Sequence, residues 1–257
     1  MDIIAYLKRI NYTGDIRPSK EVLFSLHQLH LLTVPFENLN IHYNLPISLN
    51  IPDLFQKIVR ERRGGFCYEL NGLFNWLLKE IGFKTQLIAA RVFDENGNPG
   101  PEFDHAALIV HLDKRWLIDV GFGGDSFIFP KELTPHKSQE DVHEYFQFRS
   151  VDEENWCLLH SADGNFFSKK YIFNFLPHEI SDFRQECDRK QKYPESHFVN
   201  NLICTKAIPE GRISIFNDQL SEKKNGNKEK CTIQDEKHLF CLLGQKFGIT
   251  EPENIKK

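Results

Sequence analysis

The chain has 257 residues, with 32 basic against 36 acidic side chains and a formal charge of −4. That balance argues against a nucleic-acid binder, which carries a basic excess to neutralise phosphates. At 40% hydrophobic and 26% charged residues, the composition excludes a disordered or collagen-like chain.

The N-terminal MDIIAYLKRI is broken by Lys8 and Arg9 before an apolar stretch forms, so it reads as neither a signal peptide nor a membrane anchor. A cytoplasmic protein is expected. Its six scattered cysteines, none in a CxxC pair, should then be free thiols rather than a disulfide or zinc framework.

In chain order, Ile3, Ile4, Leu7 and Ile10 share one face of a first helix. Ser19 caps a second, with Val22, Leu26 and Leu29 on one side. Asn50 and Pro52 open a third. A fourth runs from Cys67 to Ile81 with Leu70, Leu73, Phe74, Leu77 and Ile81 at spacings of three and four, and Gly82 stops it. From Lys84 the pattern becomes strands: 84–93, then a hairpin of 105–112 and 115–122, then shorter runs near 145–148, 156–159 and 171–173. A strand at 212–216 and a helix at 236–247 follow, separated by the charged stretch 222–230, which reads as a solvated loop. Helices, then antiparallel strands, then a mixed tail make an α+β chain.

Cys67 is the first candidate for chemistry. It begins a helix, where unpaired N–H groups and partial positive charge favour a thiolate. Gly64 and Gly65 before it permit a sharp backbone turn and close approach of another molecule. The local pattern leaves an ordinary buried cysteine equally open.

A thiolate nucleophile needs a base, and the base an orienting acid. His105 and Asp119 lie on the two arms of the predicted hairpin, and Asp119 stands in an apolar run where an unpaired carboxylate is costly. The turn decides whether they can meet. A two-residue turn pairing Leu112 with Arg115 puts them on opposite faces; a three-residue turn pairing His111 with Arg115 puts them on the same face. Cooperation therefore predicts an odd-length turn or a bulge. His111 and Asp113 are rivals, but they sit at the turn. His27 and His30 have metal-ligand spacing on a helix, yet no third ligand is evident, and a structural role is preferred. Gly121-Phe122-Gly123-Gly124 is a weak dinucleotide signal because no helix follows. As a loop beside Asp119 it could meet a phosphate or carbonyl oxygen with its N–H groups. Glu37 and Arg63 are expected to form a buried ion pair that fixes the approach to Cys67.

Together RGGFCYE (63–69), PFENL (35–39), His105 at a strand start and DVGFGG (119–124) resemble the arylamine N-acetyltransferases. LHQLH (26–30) and GRISIFNDQL (211–220) extend the likeness over most of the chain. The resemblance implies an N-terminal helical bundle (1–83), a central antiparallel β-barrel (84–190) and a C-terminal α/β lid (191–257). It implies a papain-like triad of Cys67, His105 and Asp119, with acetyl-CoA as donor, an arylamine or arylhydrazine as acceptor, and no metal. It implies that Phe122 lines the substrate pocket and that Gly121, Gly123 and Gly124 border the coenzyme cleft. A related amide synthase and a papain- or transglutaminase-like hydrolase share the order Cys, His, Asp. A binding protein with a vestigial triad is the non-enzymatic alternative. One departure is Asp104, whose carboxylate directly before His105 could favour the protonated imidazole. Another is the end of the chain soon after Pro252, which leaves acceptor selectivity open.

Overall fold

A computed structural model describes residues 1–124, 126–142 and 144–250. The helical part contains α1 (Ile3–Arg9), α2 (Lys20–Thr33), α3 (Leu39–His42), α4 (Ile51–Phe55) and α5 (Cys67–Ile81), with the two-residue strand β1 (Phe36–Glu37) between α2 and α3. The Ser19 hydroxyl accepts the Val22 N–H at 3.3 Å and caps α2 as expected. A π-helical turn, Gln56–Arg60, extends α4. Gly82 ends α5 at φ 102°, a left-handed conformation that glycine adopts without strain.

Eight strands form one antiparallel sheet: β2 (Lys84–Val92), β3 (His105–His111), β4 (Arg115–Ile118), β5 (Lys131–Glu132), β6 (Gln139–Asp141), β7 (Glu144–Ser150), β8 (Trp156–Ser161) and β9 (Ser168–Phe173). Their order is β5-β4-β3-β2-β9-β8-β7-β6. The sheet curls into a barrel whose outer strands, β5 and β6, are bridged by side chains. Gln139 bonds the Glu132 backbone twice, at 2.8 Å each, and Lys131 reaches Asp141 at 2.5 Å. The helix α6 (Arg184–Lys192) and the short α7 (His197–Asn200) lead into a second antiparallel sheet. It comprises β1 with β10 (Ile203–Ile208), β11 (Gly211–Phe216), β12 (Gln219–Lys224) and β13 (Asn227–Thr232), and α8 (Glu236–Leu242) follows. The chain is α+β, and the last seven residues of the expected lid lie outside the described residues.

The central strands have two buried faces. On β3 and β4, Ala106, Leu108, Val110, Trp116 and Ile118 pack toward the helices. Ala107, Ile109 and Leu117 fill the barrel with Phe127, Phe146, Phe148 and Tyr171. Side chains alternate along a strand, so His105 and the residue after Ile118 both belong to the barrel side.

Several expectations need correction. The second arm of the hairpin stops at Ile118, so Asp119 and the glycines lie in the loop beyond it. Residues 222–230 are not a loop: β12 and β13 pair across an Asn225-Gly226 turn with φ 49° and 82°. Asn-Gly is the preferred pair for such a mirror-image turn. The apolar alternation that marks a strand is missing because β13 is an edge strand with every residue exposed. The C-terminal helix is regular only to Leu242 and continues as a π-helical turn, Leu243–Phe247. Among the described residues, no helix is long and apolar enough to cross a membrane.

Candidate active site

The β3–β4 connection is the three-residue turn Leu112-Asp113-Lys114, with His111 opposite Arg115. His105 and Asp119 therefore share a face, and His105 Nε2 lies 2.7 Å from Asp119 Oδ2. With Nε2 on the carboxylate, Nδ1 is the ring nitrogen left for a second partner, and His105 and Cys67 line the same cleft. Cys67 and His105 are only 4% and 3% exposed and Asp119 is fully buried. Burial would depress the basicity of His105, but the Asp119 charge and hydrogen bond, helped by Cys67, outweigh it and raise its pKa to about 10. Burial likewise opposes ionisation of Asp119, yet His105, Asn71 and the Gly121 N–H hold its carboxyl below the usual value.

Asp119 is held from all sides. Oδ1 accepts the Asn71 amide at 3.0 Å and the Gly121 N–H at 3.0 Å; Oδ2 also accepts the Tyr171 hydroxyl at 3.1 Å. Asn71 lies one turn along α5 from Cys67, donates to Ala106 O at 2.7 Å and accepts the Val120 N–H at 3.0 Å. It thereby fixes the nucleophile's helix against the acid's loop. Sequence patterning missed Asn71 and Tyr171 because each sits in a run that reads simply as core. A buried polar residue four positions after Cys67 was the one available signal.

The start of α5 is held by charge. Glu69 Oε2 accepts the Phe66 N–H at 2.7 Å, satisfying one donor at the helix N-terminus. Lys57 pairs with Glu69 at 2.8 Å. Glu37, fully buried, receives Arg63 Nη2 at 2.8 Å and Nε at 3.0 Å, while the Leu39 N–H bonds its other oxygen at 2.8 Å. The expected Glu37–Arg63 pair is therefore present, and it joins PFENL to RGGFCYE. Backbone contact reinforces the join, with the Glu37 N–H donating to Gly65 O at 3.0 Å. A Cβ on Gly64 would lie 2.1 Å from Pro35 O, so only glycine fits.

Phe122 stands edge-on to His105 with centroids 5.2 Å apart and packs on Tyr171 at 5.1 Å. A cleft of about 280 Å³ is lined by Cys67, His105, Gly121, Phe122, Gly123 and Gly124. The far wall comes from the C-terminal part and includes Lys190 and Phe198. Six of the seven predicted site residues thus surround one opening, and Asp119 lies behind His105. Asp104 lines the cleft but does not serve His105. Its carboxylate is taken up elsewhere, by the Val92 N–H at 3.0 Å and Lys190 at 2.5 Å. His27 and His30 are not paired on a metal; each has its own protein partner, Ile128 O at 2.9 Å and the Tyr6 hydroxyl at 3.1 Å.

Gly121 is a point of close approach. A Cβ there would fall 2.8 Å from Cys67 Cα and 2.6 Å from the Asn71 amide. Gly121→Ala is expected to cost about 1–3 kcal/mol by overpacking and to slow Cys67 alkylation. Gly124→Ala, with nothing within 4 Å of its Cβ, should match wild type in stability. Urea unfolding of the two proteins, compared with wild type, checks both.

A buried thiol and a hydrogen-bonded imidazole–carboxylate pair meet at one cleft, the residue types that cysteine-based acyl transfer requires. Residues 20–254 match a family model described as N-acetyltransferase. The chain is 33% identical to arylamine N-acetyltransferase, pineal gland isozyme NAT-3, of Gallus gallus, covering 97% of this chain and 94% of the relative. It superposes with a TM-score of 0.92 on the arylamine N-acetyltransferase of Salmonella typhimurium, at 28% identity over 98% and 95% of the two chains. The Mycobacterium marinum arylamine N-acetyltransferase in complex with CoA matches with a TM-score of 0.89 and 30% identity, over 96% and 93%. The chain belongs to the arylamine N-acetyltransferase family of acyltransferases.

Proposed function

We propose that the protein transfers acetyl groups from acetyl-CoA to arylamines and arylhydrazines through an acetyl-Cys67 intermediate. The observation that carries this reading is a buried His105–Asp119 pair that shares with Cys67 a cleft walled by Phe122 and three glycines. That the M. marinum relative was solved in complex with CoA supports coenzyme A use, and the cleft beside Cys67 is where this reading seats it. Beyond Gly124 a second cavity, about 370 Å³, lies between the barrel and the five-stranded sheet, bordered by Ser126, Arg212 and Lys223. Its position suits the remainder of a long coenzyme.

In this reading His105 is an imidazolium and Cys67 a thiolate, with Asp119 holding the ring. The sulfur attacks the thioester carbonyl and forms a new carbon–sulfur bond. N–H groups of the first turn of α5 stabilise the oxyanion. The bond to the coenzyme sulfur breaks, and His105 gives that sulfur its proton. The acceptor amine then attacks acetyl-Cys67 and passes its proton to the neutral His105. The thiolate departs and the ion pair is restored. Phe122 and the far wall exclude water that would otherwise hydrolyse the acyl-enzyme.

Steady-state rates across a panel of arylamines and arylhydrazines test the proposal. Coenzyme release should rise with acceptor concentration and give the parallel double-reciprocal lines of ping-pong kinetics. Release that no amine accelerates would indicate a hydrolase instead.

A further inference from the structure

His27 is fully buried in α2, far from the cleft in sequence, yet it touches both ends of the segment that carries the acid and the cleft-lining glycines. Its Nδ1 lies 2.9 Å from the carbonyl of Ile128, and the Asp119 N–H lies 3.3 Å from its Nε2. A backbone N–H can only donate, so Nε2 must be an acceptor and the ring proton must sit on Nδ1. The imidazole is therefore neutral, donating to one end of the segment and accepting from the other. The ring is clamped between Phe127, stacked at 5.5 Å and 10°, and Phe74, edge-on at 6.4 Å.

We propose that His27 is a positioning residue: it staples Asp119 to Ile128 and so sets where the carboxylate stands behind His105. This inference rests on the roles proposed above for Cys67, His105 and Asp119. The side chain of Asp119 has four partners, but its backbone N–H has His27 alone in the described hydrogen bonds. Without the staple, the peptide can rotate and carry the carboxylate away from Nε2 of His105. The imidazolium then loses its counter-charge, and the thiolate loses the imidazolium. The charged and titratable groups facing His27 are Asp119 from the loop, Lys131 from β5, Asp141 from β6 and His30 from its own helix. Burial outweighs the two carboxylates and lowers the His27 pKa to about 4, in keeping with a neutral ring through the working range.

Two measurements on the full chain decide the matter. Long-range proton–nitrogen spectra of the wild-type protein should show His27 protonated at Nδ1 and bare at Nε2; the opposite tautomer would overturn the proposal with no variant needed. Alkylation of Cys67 by iodoacetamide, read by peptide mass spectrometry from pH 5 to 10, is then compared in wild type, His27→Gln and His27→Phe. Gln keeps an acceptor for Asp119 and should stay within about threefold of wild type, with the same profile; Phe has none and should be about tenfold slower at pH 7, the change expected for loss of one charge-coupled hydrogen bond. The shape of its dependence on pH should also differ from that of wild type. Lower melting temperatures in both variants with an unchanged Cys67 profile would mean a purely structural histidine. Should His27→Phe not fold, the wild-type tautomer is the deciding result. A wild-type Cys67 no more reactive than exposed Cys231 would instead count against the proposed function.

Discussion

An Asp119→Asn protein is expected to lose about 10⁴-fold in kcat/KM, the scale seen when the acid of a catalytic triad is neutralised. Asn is nearly isosteric, so the loss comes from chemistry rather than packing. The amide cannot hold an imidazolium at 2.7 Å in place of the carboxylate. It also turns either an oxygen or an NH₂ group toward donors from Tyr171, Asn71 and Gly121 that now all find acceptors. Stability carries a pH signature of the same pair. His105 has a raised pKa, so its contribution is complete below its ordinary 6.5 and is lost as pH rises through about 10. Asp119 has a lowered pKa, so its contribution is complete above its ordinary 3.8 and is lost as pH falls through its lower native value. The melting difference between wild type and Asp119→Asn should therefore be widest between those two ordinary values and shrink toward pH 10. A difference that grew with alkalinity would contradict the ion pair.

The largest effect on stability is expected at Glu37. Glu37→Gln leaves Arg63 buried with Asn40 as its one neutral side-chain acceptor, at 3.0 Å. Lys57 keeps Glu69. Breaking a buried pair from one side costs about 3–5 kcal/mol; Gln retains an acceptor oxygen, so the lower end applies. For a chain of this size that is roughly 6–12 °C in melting temperature. Differential scanning calorimetry checks it, and an unchanged melting point would mean that the pair contributes nothing net. Because Glu37 and Arg63 join β1 to the approach to α5, partial loss of activity should accompany the loss of stability.

The sequence could be read this far because local rules dominate there. The three-and-four spacing in α5, its glycine stop and the capping Ser19 are short-range signals, and each appears in the structure. The parity of the β3–β4 turn is a condition that sequence sets without meeting: an odd turn is needed if His105 and Asp119 cooperate, and the fold supplies it with Leu112-Asp113-Lys114. The setting of Asp119 was not legible. His27, Asn71 and Tyr171 come from α2, α5 and β9, and no pattern within any one element reports contacts made 48 to 92 residues away. The β12–β13 hairpin was hidden for the opposite reason, since an exposed edge strand has no buried face to leave an apolar rhythm. α6 was missed similarly: its sequence, RQECDRKQK, is almost wholly polar. Even so, its Lys190 reaches into the cleft wall and pairs with Asp104.

The central claim is that one thiol carries the acetyl group between donor and acceptor. Intact-protein and peptide mass spectrometry after brief exposure to acetyl-CoA, without amine, tests it most directly. A single added acetyl on the peptide containing Cys67, discharged when an arylamine is added and absent from Cys67→Ala, is the predicted result. No adduct at Cys67, or a Cys67→Ala protein that still acetylates arylamines, would contradict it.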